Sequence, residues 1–314
     1  MKENKDTKVL VLMGGVSTER EVSLKSGEGV YGALIEAGFN AVKLDVTYDN
    51  ISEIQKIKPD VAFIALHGKG GEDGSIQGLL EWMNIPYTGP GISASSICMD
   101  KILTKKLMIQ SGIRTPEFLE FYVNDGFSYD KIEKSIESAL GFPVVLKSSC
   151  QGSSIGVEIV KEKAQLRSVI DSLVSYGDSI LAEKFVEGIE VTVPIMGNNE
   201  PSVLPIIEIL SENEFYDYES KYTSGMSHHL IPARIGDDVR KRIEETAIQA
   251  YRAAGCRGLS RIDFIIDKNN TPYFIEINTS PGMTGVSLFP ESAKYAGIEF
   301  PQLVDKIVKL ALKA

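Results

Sequence analysis

Cysteine is scarce in this chain, which has only Cys98, Cys150 and Cys256 among its 314 residues. Three widely separated cysteines exclude a disulfide framework and a zinc site built on cysteine pairs, so buried, inert thiols are expected. The sequence also lacks an apolar run long enough for a membrane span, and its polar N-terminus lacks the apolar core of a signal peptide. These absences favour a cytoplasmic protein.

Basic residues are also fewer than acidic ones. The 33 Lys and Arg residues face 43 Asp and Glu residues, which leaves a net charge of −10. Nucleic acids and anionic lipids bind basic surfaces, so neither is an expected partner. An anionic ligand would depend on lysines that converge locally. The apolar fraction of 43% is that of a globular protein, and 314 residues favour two or three subdomains over one core.

The first hundred residues alternate short apolar runs with helical patterns. Strands are predicted at residues 9–13, 41–45 and 61–66, with a helix at 21–37, which is typical of a parallel sheet with crossover helices. Two polar loops, 14–20 and 67–75, follow the first and third strands, at the edge where α/β sheets bind ligands. Neither loop is a dinucleotide fingerprint or a Walker A sequence.

A second block begins near residue 99. It has a predicted helix at 101–111, a strand at 144–146 closed by Lys147, and a second strand at 157–160. The Gly/Ser-rich segment between these strands suits backbone and hydroxyl donation to phosphate oxygens, and it equally suits a plain mobile hairpin. The sequence leaves both interpretations open. Lys105 and Lys106 are expected to be solvated charges of the helix.

Charged side chains interrupt two very apolar runs near the C-terminus. The runs around 264–266 and 274–277 are joined by turn residues and predict a hairpin. Alternation along strands puts Arg261 with Asp263 and Glu276 with Asn278 on one face. Buried carboxylates need a positive partner, and Mg²⁺ is usually held by one or two carboxylates and by phosphates. The alternative is a structural Arg–Asp salt bridge beside an exposed glutamate.

Two further segments carry polar residues whose role the sequence alone does not decide. The strands at 180–186 and 187–193 carry Glu183 and Glu190, which either face solvent or bind ribose hydroxyls or an adenine amino group. The long polar segment 211–235 predicts a functional lid, and the adjacent His228 and His229 are interpreted as loop residues. Helices are predicted at 237–254 and 301–312.

Five blocks, in this order, together resemble the D-alanine-D-alanine ligases of the ATP-grasp superfamily. They are Gly14-Gly-x-Ser-x-Glu-Arg-Glu-Val-Ser23, His67-Gly-x-Gly-Gly-Glu-Asp-Gly74, Lys147 with Gly152-Ser-Ser154, Phe215-Tyr-Asp-Tyr-Glu-x-Lys-Tyr222, and Arg261-x-Asp263 with Glu276-x-Asn278-Thr-x-Pro-Gly-Met-Thr284. The resemblance covers nearly the whole chain. It implies a three-part α/β protein with an N-terminal parallel α/β domain (1–98), a central subdomain (99–187) and a C-terminal subdomain (188–314). The nucleotide would lie between the central and C-terminal α+β sheets.

The resemblance also implies roles for single residues. Two Mg²⁺ ions, with Mn²⁺ as a substitute, would be held by Asp263, Glu276 and Asn278. ATP would be bound by Lys101, Lys147, Ser153, Ser154, Glu183, Lys184, Val186, Glu190, Phe215, Lys221 and Asn278. D-alanine would be bound by Glu19, His67, Arg261, Gly282, Ser287 and Leu288. The catalytic set would be Glu19, Ser153, Tyr222, Arg261 and Gly282.

The implied reaction is ATP-dependent joining of two D-alanine molecules through a D-alanyl phosphate, for peptidoglycan precursors. Arg261 and the backbone N–H of Gly282 would stabilise the tetrahedral oxyanion. Glu19 would bind the ammonium of the first D-alanine, and Ser153 and Tyr222 would link the closed lid to Glu19. A homodimer is implied, and a monovalent cation is a further candidate ligand.

Three other functions stay open. A D-alanine-D-lactate ligase shares the implied fold, but Tyr222 favours the dipeptide, because the lactate-forming relatives lack this tyrosine by similarity. Another ATP-grasp ligase would not need Glu19, His67 and Tyr222. A non-catalytic nucleotide-binding module would not need Arg261 together with all three metal ligands.

Overall fold

The computed structural model describes residues 2–123, 128–152, 156–177, 179–211 and 227–314. Three sheets in this part of the chain follow one another along the sequence. The first segment contains β1 (Lys8–Gly14), α1 (Arg20–Glu36), β2 (Asn40–Val46), α2 (Glu53–Ile57), β3 (Val61–Ile64), α3 (Ser75–Trp82) and α4 (Ile92–Met99). Its sheet is parallel and has the order β2-β1-β3. The loops that follow β1 and β3 therefore leave the same edge of the sheet.

The central segment forms an antiparallel sheet covered by two amphipathic helices. It contains α5 (Lys101–Gln110), β4 (Phe118–Tyr122), α6 (Tyr129–Ala139), β5 (Val144–Ser148), β6 (Val157–Val160), α7 (Leu166–Val174) and β7 (Ser179–Lys184), with the strand order β4-β7-β5-β6. Apolar residues at helical spacing, such as Ile132 with Ile136 and Leu166 with Ile170, are buried against the sheet. This packing fixes β5 and β7 side by side.

The C-terminal segment carries the largest sheet. It contains β8 (Gly188–Met196), β9 (Ser202–Val203), β10 (Ile207–Ser211), β11 (Ser227–Leu230), α8 (Asp237–Ala253), β12 (Leu259–Asp267), β13 (Pro272–Asn278), α9 (Leu288–Tyr295) and α10 (Phe300–Ala311). The sheet order is β11-β10-β8-β12-β13, with β9 paired to β8. The terminal helix α10 packs on α1, and Leu303 shares a core with Val9 and Val11 of β1. The last helix thus completes the core of the first segment.

Most predicted elements are present at nearly the predicted positions. The helices predicted at 21–37 and 101–111 are α1 and α5, and Gly38 and Gly112 follow them with φ of 83° and 74°. Glycine adopts this left-handed backbone without a steric penalty, which is why it ends these helices.

The structure differs from the sequence predictions at His228 and His229 and at Cys150. His228 and His229 lie in strand β11, which pairs with β10, so the segment 211–235 is not a loop throughout. Residues 212–226 of that predicted lid lie outside the described residues. Cys98 and Cys256 are buried as expected, but Cys150 is exposed, because the polar segment after β5 carries it out of the central core.

In the part of the chain that the structure describes, none of the helices combines the length and the hydrophobicity of a membrane span.

Candidate active site

All three segments contribute side chains to one cleft. Its polar lining comes from the N-terminal loops, from the start of α5 with the segment after β5, and from the β12–β13 hairpin with the segment that follows it. The lining includes Glu19, His67, Glu72, Lys101, Gln151, Gly152, Arg261, Glu276, Asn278, Ser280 and Gly282. The structure therefore brings together residues that the sequence places more than 200 positions apart.

The loop that carries Glu19 is tied to the neighbouring strand. Arg20 donates from Nη1 and Nη2 to the two carboxylate oxygens of Asp45 at 2.7 and 2.6 Å, and Nη1 also donates to the carbonyl of Gly15 at 3.0 Å. Gly14 is required there, because a Cβ on it would lie 2.0 Å from Asp45 Oδ1. This clamp fixes the residue that precedes α1, which is Glu19.

The Glu19 side chain is buried, with 6% of the residue exposed, and it is pressed between two glycines. A Cβ on Gly68 or Gly152 would lie 2.5 or 2.7 Å from Glu19 Oε2. The absence of side chains at these glycines lets two backbones from different segments approach one carboxylate. A buried carboxylate in such a cleft suits a cationic substrate group.

His67 lies beside Glu19 and is also buried. Its Nε2 is 3.1 Å from Ser26 Oγ, and its Nδ1 is 3.7 Å from Glu72 Oε1. Burial by itself lowers the pKa of the imidazole. The hydrogen bond and charge of Glu72, with the charge of Glu19, outweigh that effect and leave the pKa of His67 raised above 6.5.

Ser26 of α1 and Ser280 join the N-terminal segment to the segment after β13. Ser26 Oγ accepts from the backbone N–H of Met283 at 3.3 Å, and Ser280 Oγ donates to the carbonyl of Leu66 at 3.2 Å. Gly282 therefore lies in a segment that is held on one side by α1 and on the other by the loop after β3. Neither serine was identified from the sequence, since only the fold places them at this junction.

The β12–β13 hairpin places its polar groups as the alternation predicts. Arg261 pairs with Asn278, and Asp263 pairs with Glu276. Arg261 donates from Nε and Nη2 to the two Asp263 oxygens at 3.0 and 2.9 Å, and Thr192 of β8 donates to Asp263 Oδ1 at 2.5 Å. The Arg–Asp pair that the sequence offered as an alternative is thus present, on the same face as Glu276.

The oxygen donors of this face fit a hard divalent cation. Asp263, Glu276 and Asn278 present two carboxylates and an amide oxygen from neighbouring strands, which is the donor chemistry that Mg²⁺ uses together with phosphates. No group of three or more His, Cys, Asp or Glu side chains among the described residues has metal-binding geometry. A metal site here would therefore need a third oxygen ligand, either the amide oxygen of Asn278 or an oxygen of a bound molecule.

Lys101 lies across the cleft from the hairpin. Its Nζ donates to the carbonyl of Gln151 at 2.6 Å and is 3.7 Å from Glu276 Oε2. Asp100 caps α5 by accepting from the N–H groups of Ile102 and Leu103, and it also accepts from Ser149 Oγ at 2.7 Å. The cap thereby fixes Ser149, at the start of the Gly/Ser-rich segment.

A buried charge cluster lies deeper in the central segment. Glu183 Oε2 is 2.5 Å from Lys147 Nζ, and Glu183 Oε1 contacts Lys105 Nζ. The prediction that Lys105 is a solvated charge is wrong, because only 1% of this residue is exposed. Lys106 does reach solvent and pairs with Glu120 at 2.6 Å. Burial favours neutral Glu183, but the charges of both lysines outweigh it and hold the pKa of Glu183 below its usual value.

The sequence did contain a signal for Lys105. Residues four apart lie on one face of a helix, so a ligand-facing Lys101 implies that Lys105 faces the same way and Lys106 does not. Glu72 had a similar signal, since it follows His67 in a short glycine-rich loop.

The remaining predicted site residues differ in placement. Glu190 lies on β8 opposite Ile265, and its charge acts on Lys147. Lys184 is exposed and pairs with Glu117 at 3.3 Å, and Val186 is half-buried. Ser287 Oγ accepts from the N–H of Thr284 at 3.0 Å, and Leu288 is buried at the start of α9. Five predicted residues lie outside the described residues: Ser153, Ser154, Phe215, Lys221 and Tyr222.

The pKa of His67 can be measured directly, because the chain has only three histidines. We expect an NMR titration midpoint above 6.5 for His67, and a lower midpoint in Glu72→Gln, where burial remains and the carboxylate is lost. A folded pKa raised above the unfolded value means that this group stabilises the fold fully below about pH 6.5 and loses that effect as pH rises through the folded pKa.

Asp73→Asn is the matched control, since Asp73 accepts from loop N–H groups of Gly70 and Ser75 rather than from the ring. An unchanged His67 midpoint in Glu72→Gln would contradict the assigned pairing.

Comparisons with known proteins agree with this geometry. Family models described as D-ala D-ala ligase C-terminus and D-ala D-ala ligase N-terminus match residues 107–309 and 45–90. A curated D-alanine--D-alanine ligase of Desulforamulus reducens is 50% identical over 307 residues, covering 96% of this chain and 98% of that protein.

Two crystal structures are also similar. The Bacillus anthracis D-alanine--D-alanine ligase complexed with ATP is 35% identical with a TM-score of 0.83, covering 98% of this chain and 97% of that one. The VanG D-Ala:D-Ser ligase of Enterococcus faecalis is 32% identical with a TM-score of 0.83, covering 97% of this chain and 99% of that one. The fold is therefore that of the ATP-grasp ligases, as expected, and this chain belongs to the D-alanine-D-alanine ligase family.

Proposed function

We propose that this chain joins two D-alanine molecules into D-alanyl-D-alanine at the expense of ATP, with release of ADP and phosphate, for peptidoglycan precursor synthesis. Family membership over nearly the whole chain supports this reaction. The single observation that carries it is the cleft itself, where buried Glu19 faces the Arg261 and Glu276 hairpin and Lys101. An amino-acid site and a phosphate site thus share one cleft.

The chemistry requires an activated carboxylate, because a carboxylate and an amine do not condense at neutral pH. A carboxylate oxygen of the first D-alanine attacks the γ-phosphorus of ATP, and ADP leaves. The amine of the second D-alanine then attacks the acyl carbon of D-alanyl phosphate, loses a proton, and expels inorganic phosphate. Each bond that breaks is replaced, so one ATP is consumed for each peptide bond.

The tetrahedral step places negative charge on the former carbonyl oxygen. Arg261 is part of the cleft lining and has a guanidinium with five donors, of which two reach Asp263. The backbone N–H of Gly282 lies in the segment held by Ser26 and Ser280. A fixed donor at an oxyanion is worth roughly 3–4 kcal/mol of barrier, which makes these two groups the proposed oxyanion site.

The ammonium of the first D-alanine is proposed to bind Glu19. The two glycine backbones that enclose Glu19 leave the carboxylate little freedom, and its attraction for a cation is screened less by water than that of an exposed carboxylate. His67 lies beside it, and the charges of Glu72 and Glu19 raise the pKa of its imidazole, which makes protonation of this ring easier and suits a nearby substrate carboxylate.

The nucleotide is proposed to lie between the central and C-terminal sheets. Lys101 Nζ is 3.7 Å from Glu276 Oε2 and the charge of Glu276 acts on Lys147, so both lysines would meet the phosphates. Glu183 and Glu190 are proposed for adenine or ribose contacts, with Lys184 and Val186 beside them. Ser153, Ser154, Phe215, Lys221 and Tyr222 complete the proposal from the resemblance, including the lid link to Glu19.

Magnesium is proposed at Asp263, Glu276 and Asn278, where it would neutralise charge on the ATP phosphates. Arg261 pairs with Asp263, Lys101 Nζ lies 3.7 Å from Glu276 Oε2, and the N–H of Ser280 donates to Asn278 Oδ1 at 3.1 Å, so a cation here would share these oxygens with donors of the protein. Manganese is the proposed substitute.

The domain division is also a proposal. Residues 1–98, 99–187 and 188–314 are proposed as the three domains of the enzyme, because each range holds one of the three sheets.

The location and the oligomeric state of the enzyme are proposals as well. A cytoplasmic reaction is proposed because ATP is supplied there. A homodimer is proposed from the resemblance, and Trp82, of which 93% is exposed on α3, is an apolar side chain that a second copy would cover.

Incubation of the purified protein with D-alanine, ATP and Mg²⁺ tests the reaction. Mass analysis should show D-alanyl-D-alanine and ADP in equal amounts, with D-lactate, D-serine and L-alanine as competing substrates. Glu19→Gln should raise KM for D-alanine by roughly 10-fold or more, the usual effect of losing a charged hydrogen-bond partner. Glu21→Gln, on the exposed side of the same helix, is the control. A preference for any acid other than D-alanine would refute the proposed substrate.

The proposed metal site is tested by Glu276→Gln. Loss of one carboxylate should raise the Mg²⁺ concentration for half-maximal velocity by roughly 10- to 100-fold, because altered metal-site partners commonly change metal affinity by that factor. Glu158→Gln changes an exposed carboxylate on β6 and should leave the requirement as it is. The site is wrong if both variants have the Mg²⁺ dependence of the parent protein.

A further inference from the structure

Lys105 is the most deeply buried lysine of the central segment, with 1% of the residue exposed. Its Nζ contacts Glu183 Oε1 and Thr115 Oγ1, and it lies 5.7 Å from the ring centre of Phe118. An ammonium is costly to bury, so a lysine in this position needs close compensation. Glu183 supplies it.

Glu183 is shared by two lysines that approach it from opposite elements. Lys105 comes from α5 and contacts Oε1, whereas Lys147 comes from β5 and lies 2.5 Å from Oε2. Lys147 is also buried, with 7% exposed. With all three groups ionised, the cluster has one positive charge more than its single carboxylate can neutralise. That excess lies beside the cleft, where the charge of Glu276 acts on both lysines.

Because Glu183 pairs with two lysines, it holds Lys147 less tightly than it would hold a single partner. In a buried one-to-one pair, the carboxylate neutralises the lysine and holds it strongly. When a second ammonium contacts the other oxygen of the same carboxylate, the attraction for each ammonium is weaker. Lys147 can then turn to an incoming polyanion at lower cost than a lysine in an exclusive pair.

We propose that Lys105 is a positioning residue for nucleotide binding, which holds Glu183 at Oε1 and so leaves the Lys147 ammonium available to the phosphates. The inference rests on the proposed ATP-dependent function and assigns Lys105 no contact with the nucleotide itself. Burial and the nearby charge of Lys147 lower the pKa of Lys105, whereas Glu183 raises the pKa of Lys147 despite burial. Lys147 is therefore the more firmly charged of the two.

The test compares Lys105→Met with Lys106→Met. Methionine keeps the length and apolar stem of lysine and removes the ammonium. Lys105→Met should weaken binding of ADP and of a non-hydrolysable ATP analogue by roughly 10- to 100-fold, the usual effect of one charged hydrogen bond. KM for ATP should rise in parallel, with kcat changed much less. Lys106→Met removes the adjacent, solvent-facing charge and should bind as the parent protein does.

The background of Glu183→Gln separates positioning from direct binding. Without the Glu183 charge, the carboxylate that pairs directly with Lys147 is gone, so adding Lys105→Met should change nucleotide affinity by no more than about twofold, within the scatter of independent sites. An equal loss in both backgrounds would mean that Lys105 binds phosphate itself, and no loss in either background would mean that it has no role. Both results overturn the proposal.

Two checks keep the outcomes distinct. If Lys105→Met does not fold, Lys105→Gln retains a hydrogen-bond donor for Glu183 while losing the charge, and the same loss of affinity is expected. Nucleotide affinity is measured by calorimetry without D-alanine, so this test does not depend on peptide formation. Failure of the parent protein to make D-alanyl-D-alanine would instead count against the proposed function.

Discussion

The pairing of β12 with β13 and β8 is the constraint on which the site depends. β12 is a central strand, paired along its length with β8 and on its other side with β13. The register shifts between Asp263 and Phe264, so that Asp263 opposes Glu276 while Phe264 opposes Phe274, whose ring packs edge-on at 6.0 Å. Such a bulge re-aims side chains, and a slip of one residue would turn the polar set into the core and the phenylalanines into the cleft.

Charge is the second constraint, because an acidic protein must receive an acidic ligand. The net charge of −10 gives no long-range attraction for a triphosphate, and charges beyond a Debye length of about 8 Å are largely screened in physiological salt. Attraction must therefore come from groups inside the cleft. Lys101 lies beside the hairpin, and Lys147 lies in a buried cluster with one cation in excess of its carboxylate. The local placement of these lysines therefore supplies the attraction for phosphates that the net charge of the chain does not.

The sequence predicted elements well where a local signal exists and missed features that only tertiary packing creates. Helices α1 and α5 were identified because glycines end them, and the hairpin because turn residues join two apolar runs. Strand β11 was missed, since polar His228 and His229 lack a strand pattern and are ordered by pairing with β10. Lys105 was misassigned because charge alone predicts exposure. Ser26 was not found, since its contacts with His67 and Met283 join positions separated by 41 and 257 residues.

The central claim is that one cleft first activates a carboxylate with ATP and then passes the acyl group to an amine. Isotope transfer tests both steps together. With D-alanine labelled by ¹⁸O in both carboxylate oxygens, the account predicts that one labelled oxygen appears in inorganic phosphate for each dipeptide formed, because that oxygen bridges carbon and phosphorus in the acyl phosphate. Dipeptide formation accompanied by phosphate without label would contradict it.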